Sequence, residues 1–168
     1  HDDSYDEKIA ISSNDFERVA LKVEAAKDCF LLVGPPGTGK TSCALKTIVE
    51  RAFNSGKQLL IMAYTNRAVD EICQSVESIT PKIRYIRVGS ELSCDARYRE
   101  SLIENVLDNC QKRADVQRLI SECRVYIGTV ASISAKPELF RLKRFDLALI
   151  DEATQVLEPQ LLGILSAK

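Results

Sequence analysis

The chain has 168 residues, 45% of them hydrophobic and 28% charged, which is the size and make-up of one globular domain with a proper core. A formal net charge of −1 excludes a global basic field that would draw nucleic acid, leaving only a local positive groove open to it. No apolar run reaches the roughly 20 residues that cross a bilayer, so no membrane partner is expected. The start, His1-Asp2-Asp3-Ser4-Tyr5-Asp6-Glu7, is acidic and polar, with no signal-peptide pattern. The lack of an initial Met points to a piece excised from something longer.

Taken in chain order, the first strong signal is Cys29-Phe30-Leu31-Leu32-Val33, a short apolar run of strand type. Gly34-Pro35-Pro36-Gly37-Thr38-Gly39-Lys40-Thr41 follows and fits the phosphate-binding P-loop pattern G-x-x-x-x-G-K-[ST] at every required position. Gly37 and Gly39 leave the backbone free to turn, so that successive N–H groups, through to Ser42, converge on phosphate oxygens. Pro35 and Pro36 stiffen the approach to the loop. Lys40 is expected to reach the β- and γ-phosphates of a nucleotide, and Thr41 to offer its hydroxyl to Mg²⁺. Ala44, Leu45, Ile48, Val49 and Ala52 then recur at helical spacing, and Asn54-Ser55-Gly56 supplies a stop. Strand, loop and helix therefore come in the order a phosphate site at a helix N-terminus demands.

Gln58-Leu59-Leu60-Ile61-Met62-Ala63 reads as the next strand, followed by a helix that buries Ala68, Val69, Ile72, Val76 and Ile79. Arg84-Tyr85-Ile86-Arg87-Val88, ended by Gly89, alternates like a strand with one polar face. From about Arg99 to Cys123, Leu102, Ile103, Val106, Leu107, Cys110, Val116, Leu119, Ile120 and Cys123 form an amphipathic helical excursion, read as a helix pair packed on the sheet with its break near Lys112-Arg113. Arg124-Val125-Tyr126-Ile127-Gly128 and Phe145-Asp146-Leu147-Ala148-Leu149-Ile150 are the last strands. Alternating strands and helices predict an α/β fold with a parallel sheet covered on both faces. The six cysteines have no C-x-x-C spacing and the only histidine is His1, so they read as reduced, structural thiols of an intracellular protein.

Asp151-Glu152 emerges directly after Leu147-Ala148-Leu149-Ile150, at the strand end where open α/β sheets bind ligands. A carboxylate there can hold Mg²⁺ near Thr41, and its neighbour can take a proton from the water that attacks the γ-phosphate. Thr65-Asn66 and Gly128-Thr129 stand where strands give way to helices. Their groups suit either helix capping or contact with phosphates of a single strand.

The P-loop and Asp151-Glu152-Ala153-Thr154-Gln155 resemble motifs I and II of superfamily 1 helicases. The closest similarity is to the 5′-to-3′ branch related to RNA-surveillance and Okazaki-fragment-processing helicases, whose motif II reads D-E-A-x-Q. Ala63-Tyr64-Thr65-Asn66-Arg67-Ala68-Val69-Asp70-Glu71-Ile72 is similar to that branch's motif Ia, and Gly128-Thr129 resembles its motif Ic. The four motifs, in the family's order, cover most of the chain.

The resemblance implies a RecA-like P-loop NTPase domain spanning 1–168, with a helical insertion at about 95–123. It would be the first of two motor domains in an ATP-dependent helicase that moves on single-stranded DNA or RNA. ATP and Mg²⁺ would be its cofactors, with Lys40 on the phosphates, Thr41 and Asp151 on the metal, and Glu152 as catalytic base. Gln155 would couple the γ-phosphate to the rest of the motor, and Thr65, Asn66 and Thr129 would touch the strand. Family members carry a Gln upstream of the P-loop that reads adenine; here Glu17 stands at about that position. A carboxylate accepts from the adenine amino group but does not donate to N7. The chain also stops at Lys168, before motif III and the second motor domain would be expected. The alternatives are a nucleotide-controlled binding module and a P-loop ATPase acting on proteins.

Overall fold

The computed structural model describes residues 9–10, 30–33, 40–79 and 81–151; for 9–10, 30–33, 40–42 and 44 it describes the backbone alone. Among these residues six strands form one sheet: β1 (Ile9–Ala10), β2 (Phe30–Val33), β3 (Leu59–Ala63), β4 (Tyr85–Val88), β5 (Val125–Thr129) and β6 (Leu147–Ile150). All pair in parallel, in the order β1-β2-β6-β3-β5-β4. Six described helices connect them: α1 (Lys40–Asn54), α2 (Asn66–Glu77), α3 (Ile103–Asp108), α4 (Arg113–Glu122), α5 (Val130–Ser134) and α6 (Pro137–Leu142).

Strand β3 lies at the centre, and every one of its side chains is buried. That is why Leu-Leu-Ile-Met-Ala reads as a continuous apolar run, since a parallel strand is covered on both faces. Leu59, Ile61 and Ala63 join α1 and α2 in one core layer; Leu60 and Met62 join Ile103, Ile120, Val130, Ile133 and Leu139 in the other. At the strand's start the Gln58 N–H donates to Asp146 Oδ2 at 2.7 Å, and the Asp146 N–H returns a bond to the Gln58 carbonyl at 2.9 Å. This exchange sets the register Leu59↔Leu147.

Helix α1 ends as the sequence anticipates. Gly56 takes φ 78°, its N–H bonds to the Phe53 carbonyl, and the Lys57 N–H bonds to the Ala52 carbonyl. These two bonds satisfy carbonyls that the helix end would leave open. The Arg124 guanidinium sits 3.9 Å over the Phe53 ring and donates to the Phe53 carbonyl at 2.9 Å, a cation placed at the negative helix end.

One reading of the sequence needs correction. Strand β4 has no polar face: all four residues are buried, and the Arg87 side chain is 1% exposed. It is held inside because Nη1 lies 2.7 Å from Asp70 Oδ1 and 3.8 Å from Cys73 Sγ, both on α2. The excursion is the helix pair expected, and the chain changes direction just before Arg113. Helix α3 stops at Asp108, and α4 starts afresh at Arg113 after an extended Lys112. A 3₁₀ helix, Ala96–Ser101, precedes them.

Candidate nucleotide and nucleic-acid site

Parallel pairing puts the C-terminal ends of β2, β6, β3, β5 and β4 along one edge of the sheet. Each motif begins at one of those ends. Strand β2 ends at Val33, and α1 begins at Lys40, so residues 34–39 run between a strand and a helix N-terminus. Gly34, Pro35, Pro36, Gly37, Thr38 and Gly39 themselves lie outside the described residues. Lys40, Thr41 and Ser42 form the first helical positions, with their side chains not described.

Strand β6 inserts between β2 and β3, with Ile150 level with Leu31 on one side and Met62 on the other. The Asp151 N–H then donates to the Met62 carbonyl at 2.9 Å. This bond carries the strand pairing one residue further and places the acidic residue one strand over from the P-loop. Glu152 and Gln155 lie outside the described residues, as does Glu17.

On the other side of β3, Ala63 pairs with Thr129. Motif Ia and Gly128-Thr129 are therefore neighbours, although 66 positions separate Ala63 from Thr129 (129 − 63). Thr65 is the N-cap of α2, its Oγ1 accepting the Ala68 N–H at 3.1 Å. That bond uses the oxygen as acceptor and leaves the hydroxyl hydrogen available. Thr65 is exposed, and Asn66 opens the helix half-buried beside it. Thr129 is buried and more fully engaged. Its Oγ1 accepts the Ser132 N–H at 3.0 Å and donates to Ser132 Oγ at 2.8 Å. The capping role considered for both threonines is therefore realised.

Gly128 has a packing reason that its place beside Thr129 did not reveal. A Cβ there would lie 2.7 Å from the Val88 carbonyl oxygen and 3.2 Å from Ile133 Cδ1. Close approach of β4 to β5 thus depends on a bare backbone at this position. Sequence reasoning also passed over Asp70 and Ser132. Asp70 follows the motif Ia turn and anchors Arg87, a partner that no local spacing announces. Burial pushes the neighbouring Cys73 thiol up to about 11 despite the nearby guanidinium, so the counter-charge to Arg87 comes from Asp70.

Among the described residues no group of His, Cys, Asp and Glu clusters to hold a metal by itself. A cation at this edge would need Asp151 together with ligands from the P-loop side and the nucleotide, which is the donor set of a Mg²⁺-nucleotide site. No helix among the described residues is long and apolar enough to cross a membrane.

Comparison with known proteins agrees with this arrangement. A family model described as an AAA domain matches residues 12–113. The DNA replication ATP-dependent helicase/nuclease JHS1 of Arabidopsis thaliana is 32% identical over 151 residues, which cover 90% of this chain and 11% of that protein. The DNA replication ATP-dependent helicase/nuclease DNA2 of Mus musculus is 31% identical over 155 residues, 88% of this chain and 14% of its own. RNA helicase Mov10l1 of Mus musculus is 29% identical over 157 residues, covering 89% and 13%. The chain thus spans only 11% to 14% of the length of these relatives. A match of that extent, on a RecA-like sheet whose strand ends carry the motifs, shows that the chain belongs to the AAA-domain family and, within it, to the superfamily 1 helicases, whose N-terminal motor domain it carries.

Proposed function

We propose that this domain binds ATP with Mg²⁺ and, in its full-length protein, couples ATP hydrolysis to movement along single-stranded nucleic acid. The observation that carries the reading is the shared sheet edge. Ala63 pairs with Thr129, and Asp151 is bonded to Met62, so the strand ends bearing motif Ia, Gly128-Thr129 and the acidic pair lie side by side. A motor needs its hydrolysis site and its strand-binding groups on one rigid element, so that a change at one is felt at the other.

In this reading Gly34 to Gly39 wrap the phosphates, and Lys40 neutralises charge on them. Thr41 and Asp151 would hold the Mg²⁺, whose contribution is to offset charge on the β- and γ-phosphate oxygens. Glu152 accepts the proton of the attacking water, and Gln155 senses the γ-phosphate. Thr65 and Asn66 contact strand phosphates, which carry no sequence information, as a translocating motor requires. Thr129 shapes the neighbouring turn. A second RecA-like domain of the same full-length protein would close over the nucleotide and supply further cationic donors. The names of the relatives divide between DNA replication and RNA helicases, and both nucleic acids are candidates for this chain. An intracellular location follows from such a substrate.

The test is multiple-turnover ATP hydrolysis by the full-length protein, with and without oligo-dT or oligo-U. Stimulation by single strands, lost in Lys40→Ala, is the expected result. Hydrolysis indifferent to nucleic acid but stimulated by a protein would move the chain to a protein-directed ATPase. Nucleotide binding with no turnover under any condition would make it a nucleotide-controlled binding module.

A further inference from the structure

The end of the sheet away from the motifs is strongly cationic. Because all the described strands are parallel, the connections that lead into β3, β4, β5 and β6 arrive at one N-terminal edge. They carry Lys57, Lys82, Arg84, Arg124, Lys143 and Arg144 against a single acid, Asp146, whose carboxylate accepts the Gln58 N–H. In a chain of net charge −1, that is a separation of charge onto one end of the fold.

A groove of about 540 Å³ opens at the same end, between the C-terminal turns of α4 and α6. Gln117, Arg118 and Ser121 line it from α4, Arg141 and Leu142 line it from α6, and the buried Ile120 forms part of its floor. The Lys143 ammonium donates to the Ile120 and Ser121 carbonyls at 3.0 and 3.1 Å, which ties the two helix ends together and fixes the groove's shape. Arg118 and Arg141 are exposed. Asp115, Glu122 and Glu138, the acids on the same two helices, ion-pair with neither of them. Leu142 is 49% exposed, an aliphatic side chain left in water beside these charges.

Two unpaired guanidinium groups beside an exposed leucine match carboxylates and an aliphatic side chain presented together. A nucleic-acid backbone would use the cations and leave Leu142 uncovered. We propose that this groove docks an acidic peptide segment of a partner protein, its aliphatic side chain against Ile120 and Leu142 and its carboxylates on Arg118 and Arg141. The site lies at the opposite end of the strands from the nucleotide motifs, so a partner can stay bound while the motor turns over.

A random dodecapeptide library displayed on phage, selected on the full-length protein and counter-selected on its Arg118→Glu/Arg141→Glu variant, tests this. Peptides with acidic residues around a Leu, Ile or Phe are the expected survivors. Labelled with fluorescein, they should bind about tenfold more weakly to Arg118→Ala/Arg141→Ala and about fivefold more weakly to Leu142→Ser. The arginine variant should also flatten the salt dependence of binding, with melting temperature and ATP hydrolysis at wild-type levels. Survivors without acidic residues, or no survivors at all, overturn the proposal. Loss of oligo-dT or oligo-U binding in the arginine variant overturns it too, because the groove would then be a nucleic-acid surface. If Arg118→Glu/Arg141→Glu fails to fold, counter-selection on Arg118→Ala/Arg141→Ala decides instead.

Discussion

Nη1 of Arg87 lies 2.7 Å from Oδ1 of Asp70, joining β4 to α2 by an ion pair whose arginine is 1% and whose aspartate is 22% exposed. Helix α2 is the one that begins at Thr65-Asn66, so the pair ties the motif Ia turn to the far strand of the sheet. Removing one partner leaves a buried charge uncompensated, which costs about 3–5 kcal/mol in comparable sites. Asp70→Ala should therefore lose much of the stability of the fold. Adding Arg87→Met should restore most of the loss, because the apolar chain no longer needs a counter-charge. Urea unfolding of the two single variants and the double variant measures this. A double variant no more stable than Asp70→Ala would contradict it.

Gly128→Ala should destabilise by about 1–3 kcal/mol, the usual cost of forcing extra volume into a packed interior. The reason is the 2.7 Å approach of the new Cβ to the Val88 carbonyl, a backbone atom that moves only if β4 and β5 separate. Gly89→Ala, one strand over, meets only ordinary contacts and should leave the melting temperature unchanged. Thermal unfolding of both variants side by side checks the contrast, and equal losses would refute it.

Lys143 makes stability depend on pH. Its ammonium is buried, donates to the Ile120 and Ser121 carbonyls at 3.0 and 3.1 Å, and lies over the Tyr126 ring. Burial pulls its pKa below the ordinary lysine value. The unfolded chain then holds this proton more tightly than the folded one, so the folded state gains as pH rises from the lowered value toward the ordinary one. Below that window the cost of the buried charge is fully present. Lys143→Met should remove this dependence. The difference in unfolding free energy, wild type minus variant, is expected to grow in favour of wild type on moving into the alkaline range. A difference that is flat or falls would show that Lys143 is not the titrating group.

Glu152 should carry the hydrolysis step if Asp151 holds the metal. In the full-length protein Glu152→Gln is expected to bind ATP as well as wild type and to turn it over about 100-fold more slowly, the usual loss for a general base. Asp151→Asn should instead raise the Mg²⁺ concentration needed for nucleotide binding. Steady-state turnover and isothermal titration at varied Mg²⁺ separate the two effects. Near-normal turnover by Glu152→Gln would assign the base elsewhere.

The longer strands and helices and the motifs are local patterns, legible in the sequence by itself, whereas β1 and the short helices α5 and α6 carry too little periodicity to be read there. Five apolar residues in a row at Leu59–Ala63, too short for a helix and preceded by the Asn54-Ser55-Gly56 stop, read as a strand covered on both faces. The P-loop glycines, Thr65-Asn66 and Asp151-Glu152 announce their chemistry by residue type at strand ends. Tertiary structure decided which of them meet. The order β2-β6-β3-β5-β4 sets Asp151 against Met62 and Thr129 against Ala63, pairings that depend on which strand inserts where. It also reversed the reading of Arg87, whose charge looked like a solvent face until α2 brought Asp70 to it. The same holds for glycines: Gly128 is required by a strand 40 residues earlier (128 − 88), and Gly89 by nothing in the fold. Periodicity reports how a residue sits on its own element. The charge, space and hydrogen-bond partners beside it belong to other elements, and those come together only when the sheet is assembled.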